Sequence, residues 1–283
     1  VAKAILKQGL IYYNSSKEDL ALTKFKKVVA EYPNSPESIE AVSTARLIYV
    51  DKGQVDEYAA WVKTLSFIEV SDADLDNDTY ESAEKQYLQN NSKQAISGFS
   101  SYVSKFPNGL HALKANFYLA QLYFADNLEA NSVKHYEFVV SKPRNEFTEQ
   151  ALARLCQVHL KAKNYDSAIP VLKRLESEAD FPQNITYAQS NLMKSYYEKQ
   201  DFTNAVVYAD KVLKNDKIDD RIKSDAQIIV ARSAIKTNDE AKAKDAYAKL
   251  QKIAKGELAA EALYYDAYFK NKEGKFEPSN VVV

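Results

Sequence analysis

The sequence predicts an all-α protein, built as an array of antiparallel helical hairpins with no sheet of consequence. Three observations carry that prediction. Glycine and proline number only 6 and 7 in 283 residues, which favours long helices with short connections. Apolar residues recur at helical spacing through most of the chain. The breaks between helices return every 36 to 38 residues, the mark of a repeat array rather than of two ordinary domains.

The elements follow in order. Ile5, Gly9 and Tyr12 mark a short first helix, closed by Asn14-Ser15-Ser16. Ala21, Phe25, Val28 and Val29 fall on one face of a second, with Lys24, Lys26 and Lys27 mostly off it. Pro33 cannot continue that helix and pushes Tyr32 out of helical geometry. Ser35 can then cap a new helix whose first position is Pro36, where a missing N–H costs nothing. The two prolines are therefore a stop and a start, joining one hairpin to the next. A related stop stands at Phe106-Pro107-Asn108-Gly109, with weaker ones near Lys142-Pro143 and Phe181-Pro182.

Carried forward, the register places unit starts near Ala2, Ile39, Asp76, Leu113, Glu149, Thr186, Ser224 and Ala260. One recurring position of the first helices reads Gly9, Arg46, Ala83, Ala120, Cys156, Met193, Ala231 and Ala267. Its counterpart in the second helices reads Ala21, Tyr58, Ala95, Ser132, Ala168, Ala205, Ala243 and Ser279. Small residues there let two helices approach closely. Arg46 and Tyr58 break the rule, so either the second unit is irregular or the register is displaced by one residue there. The last unit has a first helix over 260–274 and begins a second at Lys275-Phe276-Glu277-Pro278-Ser279. It stops at Val281-Val282-Val283, inside what should be a helix, where an array normally carries a polar capping helix. The expectation is about fifteen helices in one array over 1–283, cut from a longer one.

The pattern W-x2-L-G-x2-Y, then A-x3-F, then P is met at Gly9, Tyr12, Ala21, Phe25 and Pro33. The segment resembles a tetratricopeptide repeat. The resemblance covers the whole chain and is strongest at Gly9 to Pro36, Ala95 to Pro107 and Tyr165 to Ile169. It implies a right-handed superhelical solenoid of seven to eight units, each about three residues longer than the usual 34. The closing motif Tyr32-Pro33-Asn34-Ser35 resembles bacterial envelope members, the lipoprotein of outer-membrane β-barrel assembly and the tol–pal-associated periplasmic protein, although it also fits generic turn chemistry. That narrower likeness implies a periplasmic or outer-membrane-associated place, with the cytoplasm as the alternative.

The resemblance further implies that the first helices line a concave face with their second, fifth, ninth and twelfth positions. The twelfth positions are Tyr13, Val50, Tyr87, Phe124, Leu160, Tyr197, Ile235 and Asn271, and the fifth include Leu6, Tyr80, Phe117, Ile228 and Tyr264. The aromatic members, Tyr13, Tyr80, Tyr87, Phe117, Phe124, Tyr197 and Tyr264, are the candidate partner-binding residues, because aromatic side chains offer large contact area at low entropic cost. Packing between units is the competing role for each of them. Relatives that clamp a C-terminal carboxylate use Lys at the fifth and Asn at the ninth position. Here those places hold Leu6 and Leu10, Tyr80 and Glu84, or Ser190 and Lys194, so that clamp is not expected.

Catalysis has little to work with. Three histidines, one cysteine and no glycine-rich phosphate loop leave no recognisable constellation. Cys156 and His159 could supply two zinc ligands, yet no second pair completes four, and packing accounts for both. The acidic run Ser71 to Asp78 starts like a calcium loop, but counting from Asp72 puts Asn77 and Ala83 where Gly and Glu are needed. It reads instead as a solvated connection, with Asp78 and Glu81 as a capping box. No metal, cofactor or enzymatic activity is expected. Lys+Arg 38 against Asp+Glu 39 argues against nucleic acid, and no run approaches the ~18 apolar residues of a membrane span. The chain opens at Val1 and its only methionine is Met193, so the sequence is silent on a leader. The expected function is a scaffold presenting a concave groove to a peptide or protein partner within a cell-envelope assembly. The alternatives are a self-assembling spacer, or the accessory domain of a larger enzyme.

Overall fold

The computed structural model describes residues 1–274. Among them run fifteen α-helices and no strand. The chain divides into two units, Val1–Pro143 and Arg144–Val283. In the first unit α1 (Ala2–Asn14), α3 (Pro36–Asp51), α5 (Asp72–Leu88) and α7 (Ala112–Ala125) are the first helices of four hairpins. Their partners are α2 (Glu18–Glu31), α4 (Val55–Val62), α6 (Ser92–Lys105) and α8 (Glu129–Ser141). In the second unit α9 (Thr148–Lys161), α11 (Pro182–Glu198) and α13 (Asp220–Lys236) pair with α10 (Tyr165–Glu178), α12 (Phe202–Leu213) and α14 (Glu240–Leu250). A further first helix, α15 (Glu257–Lys272), packs on α14.

Each hairpin turns by the same device. Ser16, Gly53, Asn90, Asn127, Lys163, Gln200, Asn238 and Gly274 all have positive φ, between 53° and 71°. They recur at the intervals of the sequence register, one per unit. After each of the first seven the next amide closes on a carbonyl five residues back, as in Lys17 N to Tyr12 O (2.9 Å), Asn164 N to His159 O (2.9 Å) and Asp239 N to Ala234 O (2.9 Å). This bond satisfies a carbonyl that the helix end would otherwise leave orphaned, which is the Schellman closure. Glycine and asparagine take the left-handed conformation cheaply; Lys163 at φ 53° does not. Lys163→Gly is therefore expected to stabilise the second unit by about 0.5–1 kcal/mol, the relief of strain less the added freedom of the unfolded chain. Thermal melting checks this, and an unchanged or lower midpoint would refute it.

The small positions do what the register requires except at the second repeat and on α15, where Ala267 is exposed. Ala83, Ala120, Cys156, Met193 and Ala231 are buried, as are Ala21, Ala95, Ser132, Ala168, Ala205 and Ala243 opposite them. Gly9 is buried too, and a Cβ there would stand 2.5 Å from the Phe25 ring. Phe25 and Phe99 fill the space between paired helices with no exposed surface. Helix starts follow the capping rules where sequence signals exist: the Ser35 side chain accepts from Ser38 N (3.1 Å), with Pro36 at the first position of α3.

One alternative is settled and two expectations are corrected. The register holds through the second repeat, α3–α4, so that repeat is the irregular one: α4 has only 8 residues, Tyr58 is buried, and Arg46 reaches into α5. The acidic run is not a solvated connection. It forms the first two turns of α5, capped by Ser71 and Asp74 in a reciprocal box. Asp78 and Glu81 lie inside that helix and receive the Arg46 guanidinium, at 2.7 Å from Nε to Asp78 and 3.4 Å from Nη2 to Glu81. Asp76 is buried, where it accepts from Tyr102 and from Leu110 N (2.8 Å). Pro182 begins α11 rather than ending α10. The expected interrupted helix at Lys275–Ser279 and Val281–Val283 lies outside the described residues.

Charge pairs also repeat with the units. Lys52 at the end of α3 meets Asp19 in the first turn of α2 (2.5 Å). Lys199 at the end of α11 meets Asp166 of α10, and Lys272 of α15 meets Glu240 of α14. In each, an acid at the start of a second helix takes a lysine from the end of the next first helix.

Candidate functional site

The candidate aromatic residues fall into two groups. Two of the fifth-position members are interior. Tyr80 stacks on His111 at 4.2 Å, meets Tyr102 edge-on at 5.7 Å, and donates its hydroxyl to Glu84 (2.7 Å). Burial and that carboxylate push its phenol well above the ordinary range. Phe117 packs edge-on against Tyr136 at 6.4 Å and is also buried. The twelfth-position members keep part of their surface open. Tyr13 rests half-buried on the Phe25 cluster. Tyr87 is half-buried too, stacked on Tyr118 at 4.8 Å. Phe124 is half-buried, and Tyr197 stands edge-on to Phe202 at 5.6 Å. Tyr264, a fifth-position residue on α15, is 64% exposed. The residues available to a partner are thus Tyr13, Tyr87, Phe124, Tyr197 and Tyr264.

The second unit carries a groove that aromatic counting overlooks. A cavity of about 690 Å³ runs along α9, floored by Gln150, Ala153 and Gln157. In the register these are the second, fifth and ninth positions of the unit that starts at Glu149. Arg154 stands beside them and donates to Gln157 Oε1 (2.9 Å). Arg144, Phe181 and Asn184 also line the cavity. Arg144 is fixed by the Glu178 carbonyl (3.0 Å) and Asp180 (2.6 Å). Burial opposes the charge of Glu149, yet bonds from Asn184 (2.7 Å), Asp180 N (3.0 Å) and Phe181 N (3.1 Å) hold its carboxyl below the usual range. That carboxylate, on α9, ties down the two amides just ahead of α11 and the Asn184 side chain in its first turn, near the positive end of the helix dipole. Primary amides carry both donors and acceptors, so Gln150, Gln157 and Asn184 match the edge of an extended peptide backbone. Phe181, exposed beside them, offers an apolar seat.

Further along α9 a smaller groove, about 280 Å³, is lined by Leu160, Tyr197, Asn191, Lys194 and Ile229. Leu160 and Tyr197 are the twelfth positions of adjacent units, and Lys194 is pinned by Asp225 at 2.6 Å. Among the described residues no group of three or more His, Cys, Asp or Glu side chains could hold a metal ion. Cys156 is fully buried, and burial pushes its thiol up to about 12, far from a reactive thiolate.

Comparison with known families decides the repeat type. The model of the tetratricopeptide repeat matches residues 3–35, and that of the tetratricopeptide repeat-like domain matches residues 62–187. The chain carries tetratricopeptide repeats. No curated protein sequence matches this tetratricopeptide-repeat chain. Solved structures do. The type IV pilus biogenesis factor PilW is 15% identical over 92% of this chain and 97% of its own, with a TM-score of 0.40. The C-terminal part of a tetratricopeptide repeat-containing protein from Cytophaga hutchinsonii is 14% identical over 91% and 99%, with a TM-score of 0.45. The TPR2AB domain of yeast Sti1, solved as a complex with pHSP90, is 13% identical over 96% and 98%, with a TM-score of 0.38. At these values none carries an argument about what the chain binds. The gap between the two matched segments, residues 36–61, holds α3 and all but the last residue of the short helix α4. No helix among the described residues is long and apolar enough to cross a membrane.

Proposed function

We propose that this tetratricopeptide-repeat chain is a non-enzymatic protein-interaction scaffold that seats an extended peptide or protein segment on the face of its first helices. The observation that carries the reading is the groove along α9, whose floor falls on the second, fifth and ninth positions and presents amide side chains. Leu160 and Tyr197 extend that seat with apolar surface on the same face. Tyr87 and Phe124 occupy the equivalent positions in the first unit. The setting we assign is a cell-envelope assembly, supported by the Tyr32-Pro33-Asn34-Ser35 closing motif, and protease accessibility of the protein in intact and permeabilised cells tests it.

The binding reading is tested with peptides selected from a random library against the immobilised chain. Gln150→Ala with Gln157→Ala, or Tyr197→Ala, should weaken a selected peptide roughly thirtyfold, the effect of losing ~2 kcal/mol at a hot spot. Phe124→Ala makes the matching test in the first unit. Helicity and melting temperature should hardly change. Undiminished affinity in all three variants would end the proposal, and so would lost stability with affinity intact under folding conditions.

A further inference from the structure

The apolar core of the first unit is interrupted. One cluster gathers α1 to α4 around Phe25 and Ile48, and the connection after α4 packs back onto it through Leu65, Phe67, Ile68 and Val70. A separate cluster begins at Tyr80 and gathers around Phe99, Tyr102 and Leu119. The change of cluster therefore falls close to Ser71, the cap of α5.

Several local departures coincide there. α4 has 8 residues where the other second helices have 11 to 14. Its packing on its own partner α3 is the sparsest of any hairpin, and it packs on α5 more thinly than α2 does on α3 or α6 on α7. Two hollows flank the junction. One, of about 390 Å³, is lined by Gly53, Val55, Ser82, Gly98 and Ser101. The other, of about 410 Å³, is lined by Val62, Ile68 and Val70.

Charges span the gap. Arg46 on α3 binds Asp78 and Glu81 on α5, Asp51 binds Lys85, and Asp56 on α4 binds Lys105 on α6 at 2.5 Å. The Asp78 carboxylate is 1% exposed, and one of its oxygens has no hydrogen-bond partner. A polar group buried in that state costs free energy that the closed arrangement must offset elsewhere. The Asp51–Lys85 and Asp56–Lys105 pairs, with both partners partly in water, contribute ~0–1 kcal/mol each and are screened by salt, whereas the pair on the buried Asp78 carboxylate is screened much less and apolar burial not at all.

We propose that the junction between α4 and α5 is a hinge held closed by these ion pairs, so that ionic strength governs the angle between the α1–α4 and α5–α8 bodies. The first-helix surfaces of the two bodies are then presented at a variable angle, without unfolding of either.

Spin-label distances on the full chain test this. In a Cys156→Ala background, Lys27→Cys on α2 and Ser104→Cys on α6 report across the junction. Ser104→Cys with Lys134→Cys on α8 reports within one body. Between ~0.1 M and ~1 M salt the screening length falls from about 10 Å to about 3 Å. The cross-junction distribution should broaden and its mean move, while the control stays narrow. Lys85→Gln with Lys105→Gln changes only surface lysines, so folding is retained, and should produce the same shift already at low salt. A cross-junction distribution that follows the control under both treatments overturns the proposal. Equal broadening of both pairs overturns it as well, since that would be general loosening.

Discussion

Phe99→Ala is expected to destabilise the first unit by about 3–5 kcal/mol, the upper part of the range for core truncation. The ring has no exposed surface, and its neighbours are themselves rings: Tyr80 and Tyr118 at 5.9 Å and Tyr87 at 6.3 Å. Tyr80 is held by Glu84 and His111, and Tyr87 by Tyr118, so little is free to collapse into the space. In a repeat array the loss is felt first by the adjoining hairpins. Urea unfolding followed by far-ultraviolet dichroism should show an early transition belonging to part of the chain. Tyr264→Ala, on an exposed residue, should change stability by no more than ~0.5 kcal/mol and serves as the reference. A Phe99→Ala loss below about 1 kcal/mol would mean that the aromatic cluster does not form as described.

The second large effect is one of pH. His135 on α8 is buried, stacked on Tyr123 at 5.9 Å, with Nδ1 at 2.8 Å from Asn116 Oδ1. Asn116 uses its amide nitrogen on the Ala112 carbonyl (2.8 Å), so its oxygen accepts and His135 Nδ1 carries the proton. Acid would have to protonate Nε2. Burial first, and Lys134 second, lower the imidazole from 6.5 to about 4. The unfolded chain therefore binds the proton more readily than the folded one. The associated stability is complete above pH 6.5 and is lost as pH falls towards 4, a change of about 3 kcal/mol. His135→Gln keeps a donor towards Asn116 without titrating. Subtracting its stability-against-pH curve from that of the parent should leave a slope confined to that window, and parallel curves would sink the assignment.

The fold was legible because its two signals are local. Pro33, Ser35 and Pro36 act through bonds to near neighbours, and small residues at Ala95 or Ala168 report helix approach directly. The left-handed turn positions are not legible at Ser16, Lys163 and Gln200, which have no chemical bias towards that conformation; the Schellman bond imposes it. Local sequence does not show what Arg46 and Asp78 do, since each takes its role from a partner 32 residues away. At the candidate site, periodicity could put Tyr80 and Tyr87 on one helix face but could not show that Tyr80 closes against α6 while Tyr87 stays half open. The amide floor was within reach: the same register arithmetic that selects Tyr197 also selects Gln150, Ala153 and Gln157. Chemistry alone does not single it out, because small and polar side chains look like ordinary solvated surface.

The recurring lysine–acid contacts have a consequence for how such a chain can lengthen or shorten. Asp19, Asp166 and Glu240 stand at the positive end of their helix dipoles, and Lys52, Lys199 and Lys272 at the negative end of theirs, so each charge is already favoured where it stands. Every such hairpin offers one anion forward and receives it with one cation. A duplication of one of these three periods in whole copies carries its matched pair to the new join, whereas a cut out of step separates the acid from its lysine. At these three joins the surface thus carries a phase mark: tandem copying in whole periods keeps the charges paired, and slippage by a fraction of a period does not.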